Sequence, residues 1–385
     1  MTYRPRIADF ELSSELQEFR AKIRRFAEEE IAPHAGALDR EQRFPTEILR
    51  KAAKLGLLKM MIPVENGGSA MGSLASCVML EEINAACPST GVTISVHNSL
   101  VCAPLAKWGT EEQKARYFPK LSDGTWLGAY CLSEAASGSD AAALQCKAEC
   151  DGEHWVLNGP KLWITTGSEA GFFLVFARTG EERIKGISAF LVERDYPGVG
   201  VGKKERKLGI KASPTTEILL DNVRVPAENL LSEEGNGFTV ALDTLDGGRL
   251  GIASQALGIA RSAIDVIRNH LALQKNARGR STASQAAQWT LADLCAELDA
   301  FRFLIWRAAI LRDKGEVVAP QSAMAKLCAS RLANRAAREA VSLLGVLGAT
   351  DASSAERLLR DARITEIYEG ATDIQRLVIA RSVLA

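Results

Sequence analysis

From about residue 12, apolar Leu12, Leu16, Phe19, Ile23 and Phe26 recur at the spacing of one helix face, and Ser14 followed by Gln17 resembles a capping box. The same period returns over 46–58, 73–86 and 111–121, with Pro- and Gly-containing loops such as IPVENGGSAMG between them. An N-terminal α-helical domain is predicted over 1–122. Near Gly124 the texture changes to short runs of β-branched and aromatic residues: HWVLNGPKLWIT, GFFLVFAR, GISAFLVER and TEILLDNVRVP. Asn158-Gly159 predicts a hairpin turn, and GVGVG at 198–202 a connection between strands. Since no helical pattern intervenes, an antiparallel β-barrel or sandwich is predicted over 123–232. After Gly237 four long helical segments follow, near 237–274, 284–313, 320–346 and 355–384, which predict a C-terminal four-helix bundle over 233–385. The fold class is thus α+β and multidomain. Within the first of these segments, GGRLGIASQALGIARSAI gathers small residues on one face, as close helix packing requires.

A chain of 385 residues has room for two or three domains and a sizeable core. Its 47 Lys plus Arg offset 47 Asp plus Glu, so no long-range field draws it to nucleic acid or anionic lipid, and a small-molecule partner is expected. Eight Cys at 77, 87, 102, 131, 146, 150, 295 and 328 form no CxxC pair and no Cys/His cluster, which predicts no metal site and a reducing, cytoplasmic setting. The first residues run into an amphipathic helix and no apolar run approaches the roughly 20 residues of a span, so neither a secretory leader nor a membrane span is expected.

There is no GxGxxG after a strand, no P-loop, no HExxH and no GxSxG. His34, His97, His154 and His270 are far apart in sequence and are read as structural. What remains is YCLSEAASGSD at 130–140, KLWITTG at 161–167, KLGIKASPTTEILLDNVRVP at 207–226, LDGGRLG at 245–251 and ARITEIYEGATDIQRL at 362–377. These segments, their order and the helix-β-helix layout resemble the acyl-CoA dehydrogenase family over essentially the whole chain, and its short-chain, butyryl-CoA type in particular.

The resemblance implies an FAD-dependent enzyme that converts a short- or medium-chain acyl-CoA to the trans-2-enoyl-CoA, passes electrons to an electron-transferring flavoprotein and assembles as a homotetramer. It assigns Glu369 the removal of the α-proton and flavin N5 the acceptance of hydride. Read without the resemblance, Glu369 is a surface carboxylate near a helix N-terminus. Tyr130, Leu132, Ser133, Gly138 and Ser139 correspond to the segment that curls over the flavin. Trp163 and Thr165 correspond to the pair beside its ring, although an aromatic in a strand is ordinarily core. Gln285, Gly345, Thr372 and Asp373 are further implied cofactor contacts. Ser139, Asp246, Arg249 and Gly370 are implied on the substrate side, where Arg249 also fits a helix-face ion pair. Some relatives carry the base just before the arginine of LDxxR; this chain has Gly248 there, which selects Glu369.

Four segments depart from the family pattern. Gln274, Ala277 and Arg278 stand where an Arg followed by Phe-Gly is usual, Ser342 replaces a glutamine, GVLG at 345–348 replaces GGYG, and Ala135 replaces a proline. The lost arginine contact, roughly 1.5–3 kcal/mol, predicts weaker binding on the adenosine side unless Lys275, Arg278 or Arg280 compensates. Two alternatives follow: a specialised relative that acts on carrier-protein thioesters or uses oxygen, and a flavin-deficient CoA-thioester-binding protein.

Overall fold

The computed structural model describes residues 12–279 and 281–384; the opening segment, on which the leader expectation rests, and Arg280 lie outside the described residues. Helix α1 (Ser14–Phe26) is capped by Ser13, whose hydroxyl accepts the Leu16 N–H at 3.3 Å. The cap is therefore one residue earlier than the predicted Ser14, because Ser13 has the extended backbone that presents its oxygen to the free N–H groups. A π-helical turn leads into α2 (Ala32–Glu41), followed by α3 (Thr46–Lys54), α4 (Gly72–Ala86), α5 (Pro88–Ser95), α6 (Ala103–Trp108) and α7 (Glu111–Ser122). A second π-helical turn, Val96–Cys102, joins α5 to α6. Helices α4 and α5 are buried on most of their faces, Ser, Thr and Glu side chains included, and lie inside the molecule.

The middle region carries β1 (Gly128–Cys131), β2 (Lys147–Asp151), β3 (His154–Thr165), β4 (Phe172–Arg178), β5 (Ile187–Glu193), β6 (Val199–Lys204), β7 (Thr215–Pro226) and β8 (Leu230–Leu231). The sheet order is β6-β7-β3-β2-β4-β5-β8, with β1 paired to β4. Most pairs are antiparallel as expected, but β1 and β2 each meet β4 in parallel. Asn158-Gly159 is not a hairpin turn: both residues lie inside β3, and β2 turns into β3 between Asp151 and His154. Gly159, at φ +136°, sits where the register against β7 slips, and an added Cβ would lie 3.0 Å from Cys146 Cα. The glycine serves a bulge pressed against a neighbouring strand. GVGVG likewise enters β6, a strand on β7, rather than forming only a connection.

The C-terminal helices are α8 (Gly237–Leu273), α9 (Gln285–Asp313), α10 (Ala319–Leu344), α11 (Ala355–Ala362) and α12 (Thr372–Leu384). The predicted fourth helix is thus two short ones, broken where Glu369 and Gly370 take left-handed φ values of +49° and +96°. Helix α8 is long and apolar enough to cross a membrane, but 78% of that stretch is buried, which is the position of a core helix. Its small-residue face, with Ala256, Ala260 and Ala263, packs in one core with Ala329, Ala333 and Ala336 of α10.

Buried Glu81 and Glu82 of α4 tie these helices together. Arg302 of α9 and Arg261 of α8 reach them at 2.8 Å, joined by Arg20 and Arg24 of α1. Burial opposes ionisation there, but the guanidinium groups outweigh it and hold Glu82 well below the usual carboxylate range. Asp313, at the end of α9, accepts the Ser73 and Leu74 N–H groups at 2.6 and 3.0 Å and so caps α4 from another domain.

Candidate active site

The break between α11 and α12 makes the site. A 3₁₀ turn over Arg363–Glu366 ends the α11 rod, and Thr365 Oγ1 donates to the Ala362 carbonyl at 2.7 Å. The chain then turns through Glu369 and Gly370, where left-handed backbone favours glycine and strains glutamate. A Cβ on Gly370 would also collide with Gln375 Nε2, so the second residue of the turn is restricted to glycine.

Glu369 is aimed inward by this turn. Its Oε2 is buried without a hydrogen-bond partner. It lies over Gly248 of α8: a Cβ there would overlap the carboxylate, 3.0 Å from Glu369 Cδ, and would sit 2.8 Å from Leu100 Cδ2. Burial pushes the Glu369 carboxyl up to about 7, against the opposing pull of Lys326 and Arg249. A desolvated carboxylate poised near neutrality is suited to accept a proton from a weak carbon acid.

Arg249, 7% exposed, bonds Asp246 Oδ1 through Nη1 at 2.6 Å, while its Nε is buried and unpartnered. The ion pair expected on the helix face therefore exists, and the same arginine also faces the Gly370 turn, with Nε 3.8 Å from a Cβ position on that glycine. Lys326 of α10 donates to the Gly370 carbonyl, which also accepts Gln375 Nε2 at 2.8 Å. Tyr368 donates to Gln255 Oε1 of α8, and Gln255 in turn donates to the Pro88 carbonyl at 3.1 Å. Beside them Val92, Val96, Leu100 and Ile210 form an apolar cluster with Tyr130, Ile364 and Tyr368 packed on it. Burial raises Tyr130 well above its ordinary range, reinforced by nearby Glu369.

Tyr130 ends this pocket and begins the next segment. After β1, buried Leu132 and half-buried Ser133 are followed by exposed Gly138 and Ser139. Lys161, fully buried on β3, pins the segment by donating to the Leu132 carbonyl at 3.3 Å and to Glu134 Oε1 at 2.6 Å. The Glu134 carboxylate also accepts the Gln145 and Cys146 N–H groups, and Leu162 N donates to the Ser133 carbonyl at 2.8 Å. At the adjoining bulge of β3, Trp163 is 61% exposed with φ +61°, and buried Thr166 has φ +66° and an unpartnered hydroxyl. Trp163 is therefore not a barrel core residue. An outward indole on strained backbone, beside a pinned loop that carries Ser133 and Ser139 and next to half-buried Thr165, fits the flat ring of a flavin.

The remaining sequence-predicted contacts lie elsewhere. Gln285, Gly345 and Asp373 are exposed on the C-terminal helices, and no hydrogen bond or ion pair among the described residues ties them to Glu369 or Trp163. Thr372, half-buried, donates to the Glu366 carbonyl at 3.2 Å and braces the turn. Gln274 pairs with His270 at 3.0 Å, and Arg278, Ser342 and Val346 are exposed. His97 is enclosed, with Nε2 3.0 Å from the Leu58 carbonyl and Nδ1 accepting the Gly128 N–H at 3.1 Å; burial lowers it to about 4, in keeping with a structural histidine.

Sequence reasoning passed over Lys326, Lys161, Glu134, Tyr368 and Gln255. The two lysines left a signal: each stands on an otherwise inward-facing register, Lys326 among Ala323, Ser330 and Ala333 on α10 and Lys161 between Leu157 and Ile164 on β3. The Tyr368–Gln255 pair joins residues 113 apart and left none.

Comparison with known proteins matches the three parts of the chain to three family descriptions: the acyl-CoA dehydrogenase N-terminal domain over residues 13–125, the middle domain over 129–223 and the C-terminal domain over 235–384. The mouse mitochondrial short-chain specific acyl-CoA dehydrogenase is 48% identical over 376 residues, covering 97% of this chain and 91% of that protein. Among solved structures, butyryl-CoA dehydrogenase from Megasphaera elsdenii superposes with a TM-score of 0.94 at 36% identity, covering 98% and 100% of the two chains. A glutaryl-CoA dehydrogenase from Mycobacterium smegmatis in complex with FADH2 does so with a TM-score of 0.91 at 30% identity, covering 98% and 96%. FAD is the cofactor of this family, in keeping with the edge that Trp163 and the pinned loop present. This chain belongs to the acyl-CoA dehydrogenase family, the oxidoreductases that act on the CH–CH bond of acyl-CoA thioesters.

Proposed function

We propose that this protein dehydrogenates a short-chain acyl-CoA to the trans-2-enoyl-CoA, with Glu369 removing the α-proton. The observation that carries the reading is the buried, unpartnered Glu369 carboxylate, raised to about 7 and seated over a glycine that leaves it room. When bound, FAD supplies the acceptor for the hydride that leaves the β-carbon. The chain's own residues do the rest. Trp163, Thr165, Leu132, Ser133, Gly138 and Ser139 would hold the flavin. Glu369 takes the α-proton, and its own N–H would donate to the enolate oxygen. The turn at Gly370 lets the thioester approach, while Arg249 paired with Asp246 keeps a cation beside it. Enclosure by Leu100, Tyr130 and Tyr368 keeps water away from the carboxylate.

A short acyl tail is supported by the apolar cluster of Val92, Val96 and Leu100 and by the Tyr368–Gln255 bond beside it, which would limit its depth. The name of the mouse relative points the same way. An electron-transferring flavoprotein as acceptor follows from the family resemblance, and a cytoplasmic setting from the cysteine pattern. A homotetramer follows from the family resemblance, and exposed Leu273, Trp289, Val346 and Val383 of the C-terminal region are apolar side chains that other copies of the chain would cover. Oxidation of butyryl-, octanoyl- and palmitoyl-CoA with an artificial acceptor tests the substrate class. kcat/KM is expected to fall about tenfold or more from butyryl to octanoyl; a preference for octanoyl or palmitoyl would overturn the short-chain assignment.

A further inference from the structure

Lys326 is 1% exposed in the middle of α10, on a face otherwise built from Ala323, Ser330 and Ala333. A lysine is rarely so enclosed, and a methionine of similar volume would fill the space without desolvating a charge. It makes no ion pair among the described residues. Its ammonium instead donates to the Gly370 carbonyl, the first carbonyl beyond Glu369, which Gln375 holds from α12. We propose that Lys326 is a positioning residue for the proton-abstracting carboxylate: it anchors the turn that aims Glu369, and its charge favours the ionised, proton-accepting form. This rests on Glu369 being the base.

Several other groups face the same carboxylate. Arg249, with its partner Asp246, approaches from α8, Tyr130 from β1, and Tyr368 adjoins it in the turn, where Glu366 also acts on Lys326. Arg249 is already bound to a carboxylate, whereas Lys326 is spent on a neutral carbonyl, so its charge is left to act on Glu369. Burial draws Lys326 down to about 8, opposed by Glu369, so it stays mainly cationic at neutral pH while Glu369 titrates near 7.

The test compares wild type with Lys326→Gln, which keeps a donor for the carbonyl without the charge, Lys326→Met, which keeps neither, and Lys326→Arg, which keeps the charge. In the flavin-loaded protein the infrared band of the protonated Glu369 carboxyl, assigned by its loss in Glu369→Gln, is followed against pH. Its midpoint is expected to rise by roughly one pH unit or more in the Gln and Met variants and to stay near the wild-type value in Arg. The acid limb of kcat/KM should move with it, giving about a tenfold loss at pH 6, and the Gln variant should keep a higher plateau than Met. An unmoved midpoint in every variant that retains flavin overturns the proposal, as does a lower plateau with no displacement of the limb. A wild type that oxidises no acyl-CoA refutes the functional reading by itself, while the infrared titration still decides whether Lys326 acts on Glu369.

Discussion

Glu369 and Gly248 face one another across the site: the carboxylate occupies the volume into which any side chain at 248 would project. The two positions, 121 apart in sequence, cannot both carry a side chain into that volume, and the proposed base can sit on the turn after α11 only because α8 offers a bare backbone there. Gly248→Ala, which adds no charge and suits a helix interior, should push the carboxylate aside and lower kcat about 100-fold while flavin content is unchanged. Unaltered kcat would mean that the carboxylate has no fixed seat.

Enclosure of Glu369 also has a consequence for stability. Its carboxyl is held at about 7 in the folded protein against an ordinary 4.5, so the folded state binds the proton more tightly. The stability that this carboxyl contributes is fully present below pH 4.5 and is lost as pH rises through 7. Glu369→Gln removes the cost: its melting temperature should match wild type at pH 4 and exceed it at pH 8, by on the order of 1–3 kcal/mol in stability. Equal melting temperatures at pH 8 would show the carboxylate to be solvated.

The helical and strand periods revealed the three-part layout because burial on one face is what sets them. Asn158-Gly159 misled because a bulge and a hairpin turn both call for glycine, and only the partner strand tells them apart. Segment 355–384 reads as one helix because Ile364, Ile367 and Leu377 keep an apolar rhythm across the break, whereas the left-handed turn at Glu369 and Gly370 is held at the Gly370 carbonyl by Lys326 of α10 and by Gln375 of α12. Glu369 itself was legible only through resemblance; as a lone residue it reads as surface. Its surroundings come from α8, α10, β1 and the α5–α6 turn, distances that no local pattern records.

Trp163 is exposed and strained, so its value should lie in binding and not in folding. Trp163→Gly is expected to leave the melting temperature of the flavin-free protein unchanged or raised, because glycine accepts φ +61°. Equilibrium dialysis should show FAD affinity lowered by about tenfold or more, from loss of ring contact worth roughly 1–2 kcal/mol. A fall in flavin-free stability with intact affinity would return Trp163 to the core.

Lys161 holds the segment Leu132–Glu134 from beneath through a buried ion pair. Lys161→Met leaves Glu134 enclosed without its cation, a change of about 3–5 kcal/mol in denaturant unfolding. Replacing both, as Lys161→Met with Glu134→Gln, should recover part of that loss, which a double-mutant cycle measures. If the single change costs under about 1 kcal/mol, the pair is solvent-screened and does not anchor the loop.

The most direct test of Glu369 as the base is the visible spectrum of the FAD-loaded protein on anaerobic addition of butyryl-CoA, in wild type and in Glu369→Gln. The flavin band of the wild type is expected to bleach and that of the variant to persist at equal flavin content. Bleaching of both, or of neither across a series of acyl-CoAs, would contradict Glu369 as the base.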